Sequence, residues 1–135
     1  MAVDTKYLHS DISAKILKAF FTVRSGLPYN LDLEIYRRAL FIEMEACGLS
    51  ISKNKEVNIR YKDNIIGSIV LDFVTEEKVI IKLIKADAIS QQDKTDMRNQ
   101  LQLTKYEVGL ILNFAVDEEH KRIVFTNDLK TKNPQ

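Results

Sequence analysis

Gly67-Ser-Ile-Val-Leu-Asp-Phe-Val74 and Val79-Ile-Ile-Lys-Leu-Ile-Lys-Ala86 are two apolar segments of strand character, separated by the polar joint Thr75-Glu-Glu77. Their β-branched content and near-alternating pattern predict neighbouring strands. Charge enters at only three places: Asp72 near the end of the first, Lys82 and Lys85 in the second. Alternation puts Val70 and Asp72 on one face. On the next strand Ile80, Lys82 and Ile84 share one face, and Ile81, Leu83 and Lys85 the other. The second strand contains no acid.

Outward from this pair, the pattern N-terminal to residue 50 is helical. Ile12, Ile16, Leu17, Phe20 and Phe21 recur at helical spacing between Ser10 and Arg24, and Ser25-Gly-Leu-Pro28 ends that helix. Asn30 is placed to cap a second helix, with Asp32 and Glu34 in its first turn, and Gly48 closes it. Leu31, Ile35, Ala39, Leu40, Met44 and Cys47 are expected to line its buried side. Residues 52–61 form a further strand before the central pair. A polar helix follows over 90–103, then a buried strand over 108–114, a solvated turn at 117–121 and a short strand over 122–125. Residues 1–9 and 126–135 are expected to be loosely held. The order ααβββαββ predicts one α/β domain spanning 1–135, a mixed sheet covered by helices with its core over about 10–125.

Composition bounds the function. The chain has 135 residues, 29% of them charged, and a net charge of +1, which is not the footprint of a strongly basic nucleic-acid binder. Cys47 is the single cysteine and excludes an intrachain disulfide, while His9 and His120 have no zinc spacing. No apolar run approaches the roughly 20 residues of a membrane span, and the N-terminal residues lack a signal pattern, so a cytoplasmic protein is expected.

Several sparse residues resemble the GxxExxY family, a small branch of the PD-(D/E)XK nuclease superfamily with a restriction-endonuclease-like core. The second helix carries Tyr36, Ala39, Leu40 and Glu43 in the family's Tyr-x-x-Ala-Leu-x-x-Glu. Gly67 and Asp72 match its Gly-x-x-x-x-Asp, and Gly109-Leu-Ile-Leu-Asn113-Phe114 its Gly-Leu-Leu-Ile-Asn-Phe. The resemblance covers residues 10–125. The departures fall on the chemistry. The name-giving Gly and Glu are Asn30 and Leu33, and the helix glutamine is Asp96. In the ungapped register the acid two residues before the family's lysine is Lys82, and that lysine is Ile84. A one-residue slip makes them Leu83 and Lys85.

In an intact site two acids hold Mg²⁺ and the lysine orients or activates water. Here the resemblance implies Asp72 facing Lys82, or Lys85 in the slipped register, as a remnant site in which acid and lysine offset each other's burial. The expected protein is a catalytically inactive nuclease-like domain with a structural, binding or self-assembly role, a homo-oligomer without cofactor. The alternative is a metal-dependent nuclease using Mg²⁺ or Mn²⁺, with Glu43 or Asp87 as a relocated ligand. Nucleic-acid binding without cleavage, through Lys53, Lys55, Arg60 and Lys62, is a third reading that the charge balance disfavours. Tyr36 is expected to be a core tyrosine with a satisfied hydroxyl, and Glu34 a solvated first-turn acid.

Overall fold

The structure, a computed structural model, describes residues 8–115 and 119–130, with the backbone alone at Glu119. The elements follow the order ααβββαββ: α1 (Ser10–Gly26), α2 (Leu33–Ala46), β1 (Ile51–Tyr61), β2 (Asn64–Thr75), β3 (Val79–Ile84), α3 (Gln91–Gln102), β4 (Val108–Asn113) and β5 (Glu119–Val124). The strands form one mixed sheet in the order β1-β2-β3-β4-β5. β1, β2 and β3 are antiparallel neighbours, β4 runs parallel to β3 after the α3 crossover, and β5 returns antiparallel.

Helices cover both faces. α1 buries Ile12, Ile16, Phe20 and Val23 along one stripe, and α2 buries Tyr36, Leu40 and Met44 one turn apart. Both pack on Phe73, Val79, Ile81, Leu83, Val108, Leu110 and Leu112. On the opposite face Met97 and Leu101 of α3 pack with Leu71, Val74, Ile80 and Ile111. β3 and β4, the central parallel pair, are therefore apolar on both sides, as parallel strands usually are. Gly109 lets α3 approach β4: a Cβ there would collide with the Met97 Sδ.

Helix boundaries follow local chemistry. Ser90 accepts from the Asp93 N–H while the Asp93 carboxylate accepts from the Ser90 N–H, a capping box that starts an otherwise very polar helix. α2 departs from expectation. Its N-cap is Asp32, and Asn30, with φ of 65°, lies in a left-handed turn before the helix. Ile35 is exposed; the inward stripe is the one carrying Tyr36. The hairpin joint is tighter than its composition suggests. Lys62 and Asp63 both take positive φ, 48° and 64°, the two-residue turn that normally favours Asn-Gly. β5 starts at Glu119, earlier than expected, and residues 116–118 of the anticipated turn lie outside the described residues. Residues 1–7 and 131–135 also lie outside them, whereas Asn127–Leu129 forms a short 3-10 turn in the stretch expected to fray.

Candidate functional site

β2 and β3 pair only through Phe73↔Ile81, Val74↔Ile80 and Thr75↔Val79, so the two strands fork at Asp72. At the fork a carboxylate takes over the ladder. Asp72 Oδ2 accepts the backbone N–H of Leu83 at 3.1 Å, an amide that β2 no longer serves. The other oxygen, Oδ1, lies 3.5 Å from Arg37 Nη2 on α2. Arg37 also donates to Glu34 at 2.7 Å, and Glu34 meets Arg38 at 3.5 Å. The hydrogen bond from Arg37, reinforced by both guanidinium charges, holds the Glu34 carboxyl below its usual range. Glu34 is thus exposed, as expected, but paired.

Neither expected lysine reaches Asp72. Lys82 points to the α3 face, where its Nζ lies 3.9 Å from Asp96 Oδ2. Lys85 donates to the Leu31 carbonyl at 3.0 Å and to Asn30 Oδ1 at 3.4 Å, tying the end of β3 to the α1–α2 connection. The expected contact of Asp72 with a lysine is therefore corrected in both registers, and its cation is Arg37. The cause is an inversion of the pleat. Residues two apart on a strand normally share a face, yet Leu71 belongs to the α3 cluster and Phe73 to the α1–α2 cluster. Across from Asp72, Asn54 of β1 has φ of 50°, and the neighbouring pairs are Lys53↔Phe73 and Lys55↔Leu71. Both strands of the hairpin thus turn over at the fork, and strict alternation fails there.

The other residues singled out by the sequence have structural partners. Tyr36 is buried, stacks on Phe114 with centroids 4.9 Å apart, donates to the Pro28 carbonyl at 2.5 Å and accepts from the Leu31 N–H at 3.2 Å. Asn113 is buried and clamps the chain leaving β3: its amide donates to the Ala86 carbonyl at 2.9 Å and accepts the Ala86 N–H at 3.1 Å. Lys53 sits 4.5 Å over the Phe41 ring, and Lys55 donates to Glu77 at 3.0 Å. Beside Arg37 a groove of about 390 Å³ runs between α2 and the base of the hairpin, with Arg38, Lys53 and Glu34 along its walls. Arg37 is the important residue that sequence reasoning missed. Its position next to Tyr36, about 100° round the helix from a buried side chain, was the available signal.

An acid at the fork of an antiparallel strand pair, in a mixed sheet between helices with a crossover to a parallel strand, is the framework of a nuclease-type α/β domain. A model of the PD-(D/E)XK nuclease superfamily matches residues 10–123, and the chain belongs to that superfamily. No curated protein and no solved structure matches it.

The superfamily's Mg²⁺ does not fit the donors present. Mg²⁺ requires near-octahedral oxygen ligands. Both Asp72 oxygens are engaged, by an amide and a guanidinium, and the position across the fork holds the cationic Lys82 on the other face. Glu43 is half-buried on α2 and Asp87 is exposed after β3. Among the described residues no three His, Cys, Asp or Glu side chains are grouped to hold a metal ion.

Proposed function

We propose that this chain is a GxxExxY-type member of its superfamily that has kept the fold and lost the reaction. It acts in the cytoplasm as a structural or binding domain that assembles with itself. The observation that carries the reading is the division of charge at the fork. Asp72 is turned to Arg37 on the α2 face and Lys82 to Asp96 on the α3 face, so each charge has an internal partner, and Glu34, the second carboxylate on Arg37, is held by the same guanidinium. Breaking such pairs to admit a metal would cost both the ion pair and the Leu83 amide bond. The test is direct. The purified protein is incubated with plasmid and with single-stranded DNA and RNA in Mg²⁺ and in Mn²⁺, and its melting is followed with and without Mn²⁺. The reading expects no cleavage and no metal-dependent rise in Tm. Cleavage that disappears in Asp72→Ala would refute it and identify a relocated ligand instead.

A further inference from the structure

Three cations converge on the groove of about 390 Å³ between α2 and the base of the hairpin. Arg37 and Arg38 come from α2, Lys53 from β1. Arg37 is committed, to Glu34 at 2.7 Å and to Asp72 at 3.5 Å. Arg38 meets Glu34 through Nε, at 3.5 Å, and its side chain is 78% exposed. Its two terminal nitrogens are left to form a fork on a further acceptor. Lys53 meets no carboxylate among the described residues; its ammonium rests 4.5 Å over the Phe41 ring. Lys55, two residues on, shows the contrast, being tied to Glu77 at 3.0 Å. The groove's charges therefore do not cancel. Three cations face two carboxylates, Glu34 and the Asp72 that Arg37 also holds, and one positive charge is left over.

The rest of the groove is apolar. Phe41 is half-buried and leans on Phe73, with centroids 6.2 Å apart, and Ile42 beside it is 63% exposed. An apolar floor with a few convergent polar groups, in a volume of about 300–1,000 Å³, is the usual form of a small-molecule site. Because Lys53 lies on the Phe41 ring, an anion drawn to the ammonium brings the body that carries it onto that floor. One unbalanced charge suits a single anionic group. An extended polyanion, such as a nucleic-acid strand, would gain that one charge and then meet the half-exposed Glu34 carboxylate. A dianion would meet the same repulsion.

We infer that the groove is a binding site for a small aromatic monocarboxylate. Arg38 and Lys53 hold the carboxylate, and the ring lies against Phe41 and Ile42. The inference goes beyond the proposed function and requires neither self-assembly nor an inactive fork.

The probe is naphthoate, titrated into the full chain and followed by two-dimensional amide NMR. Naphthalenemethanol, naphthyl phosphate and a thymidine oligonucleotide are titrated separately. From the size of the probe a Kd of roughly 0.1–1 mM is expected, with shifts gathered at Arg38, Phe41, Ile42, Lys53 and Asn54. The uncharged alcohol should bind at least about tenfold more weakly, and salt should weaken the acid. Lys53→Glu should raise the Kd at least about tenfold and Arg38→Gln by less, with the rest of the spectrum unchanged. Absence of saturable shifts well above that range, shifts centred on another surface, or equal binding of the alcohol would overturn the site. Tighter binding of the phosphate or the oligonucleotide at the same residues would overturn the assignment to a monocarboxylate. Should either variant fail to fold, the wild-type shift map and the alcohol comparison decide.

Discussion

Asp72 and Lys82, which would stand side by side if the β2–β3 ladder ran one step further, address opposite faces of the sheet. The first meets Arg37 on α2 and the second Asp96 on α3. This geometry changes what a repair of the missing acid would do. A carboxylate at position 82 would extend towards Asp96, away from Asp72. Lys82→Glu is therefore expected to gain neither Mn²⁺ binding nor cleavage, and to lose stability by about 1 kcal/mol, because a half-exposed ion pair becomes a like-charge pair. Urea unfolding with and without Mn²⁺ checks both parts; metal-dependent stabilisation would contradict the face assignment.

The Asp72 carboxylate stands in for a strand at the Leu83 amide. Asp72→Ala leaves that N–H without its acceptor and is expected to cost roughly 1–3 kcal/mol. Asp72→Asn keeps an acceptor and should cost less than half as much. Hydrogen exchange at Leu83 reports on the same bond: protection should drop in the alanine variant and largely survive in the asparagine one.

Gly109 sits under Met97 with no room for a methyl group. Gly109→Ala should destabilise by about 1–3 kcal/mol through overpacking. Because the obstructing atoms belong to a flexible side chain, Met97→Ala should offset part of the loss when combined with it. A double-mutant cycle in chemical denaturation measures the coupling; strict additivity would mean that the two residues do not press on each other.

Glu77 links three elements: its carboxylate accepts from Lys55 at 3.0 Å, from the Tyr106 hydroxyl at 3.3 Å and from Ser52 at 3.3 Å. The hydrogen bond from Lys55 chiefly lowers the Glu77 pKa from 4.5. A carboxyl whose folded pKa is depressed contributes stability present above its unfolded pKa, and that stability is lost as pH falls through the folded value. The acid limb of the stability profile, beginning near pH 4.5, should therefore flatten slightly in Glu77→Gln. Solvent exposure keeps the change to about 0.5 kcal/mol or less. An unchanged limb would show that the network contributes nothing measurable.

Most of the framework was readable because it obeys periodicity. The apolar stripe of α1, the apolar runs that became β3 and β4, and the polar helix over 90–103 each follow from local chemistry that the tertiary structure does not overrule. Gly109 and Asn113 were visible as a pattern, but their reasons, the Met97 side chain and the Ala86 clamp, lie far away in sequence. The site was misread for one physical cause. Alternation assumes an uninterrupted pleat, and the left-handed Asn54, a residue type that tolerates that conformation, inverts the hairpin where Asp72 must be placed. The same tolerance at Asn30 moved the start of α2. The place of Arg37 beside the buried Tyr36 was legible, but that Asp72 turns towards it follows only from that inversion.

Three ladder pairs root the β1–β2 arm in the sheet, while the two cores are built mainly from the other elements. Backbone amides near Ser68 should then open at far lower free energy than those of Leu110 or Ile111, as separate cooperative units do. Such partition also separates two kinds of mutational freedom. Substitutions at the exposed positions beyond the fork, such as Ile65, Ile66 and Val70, carry little risk to folding. Those in the core below it, and at the buried Leu71 beside it, risk the whole molecule. A scaffold divided in this way can change one short segment at a time without endangering its core.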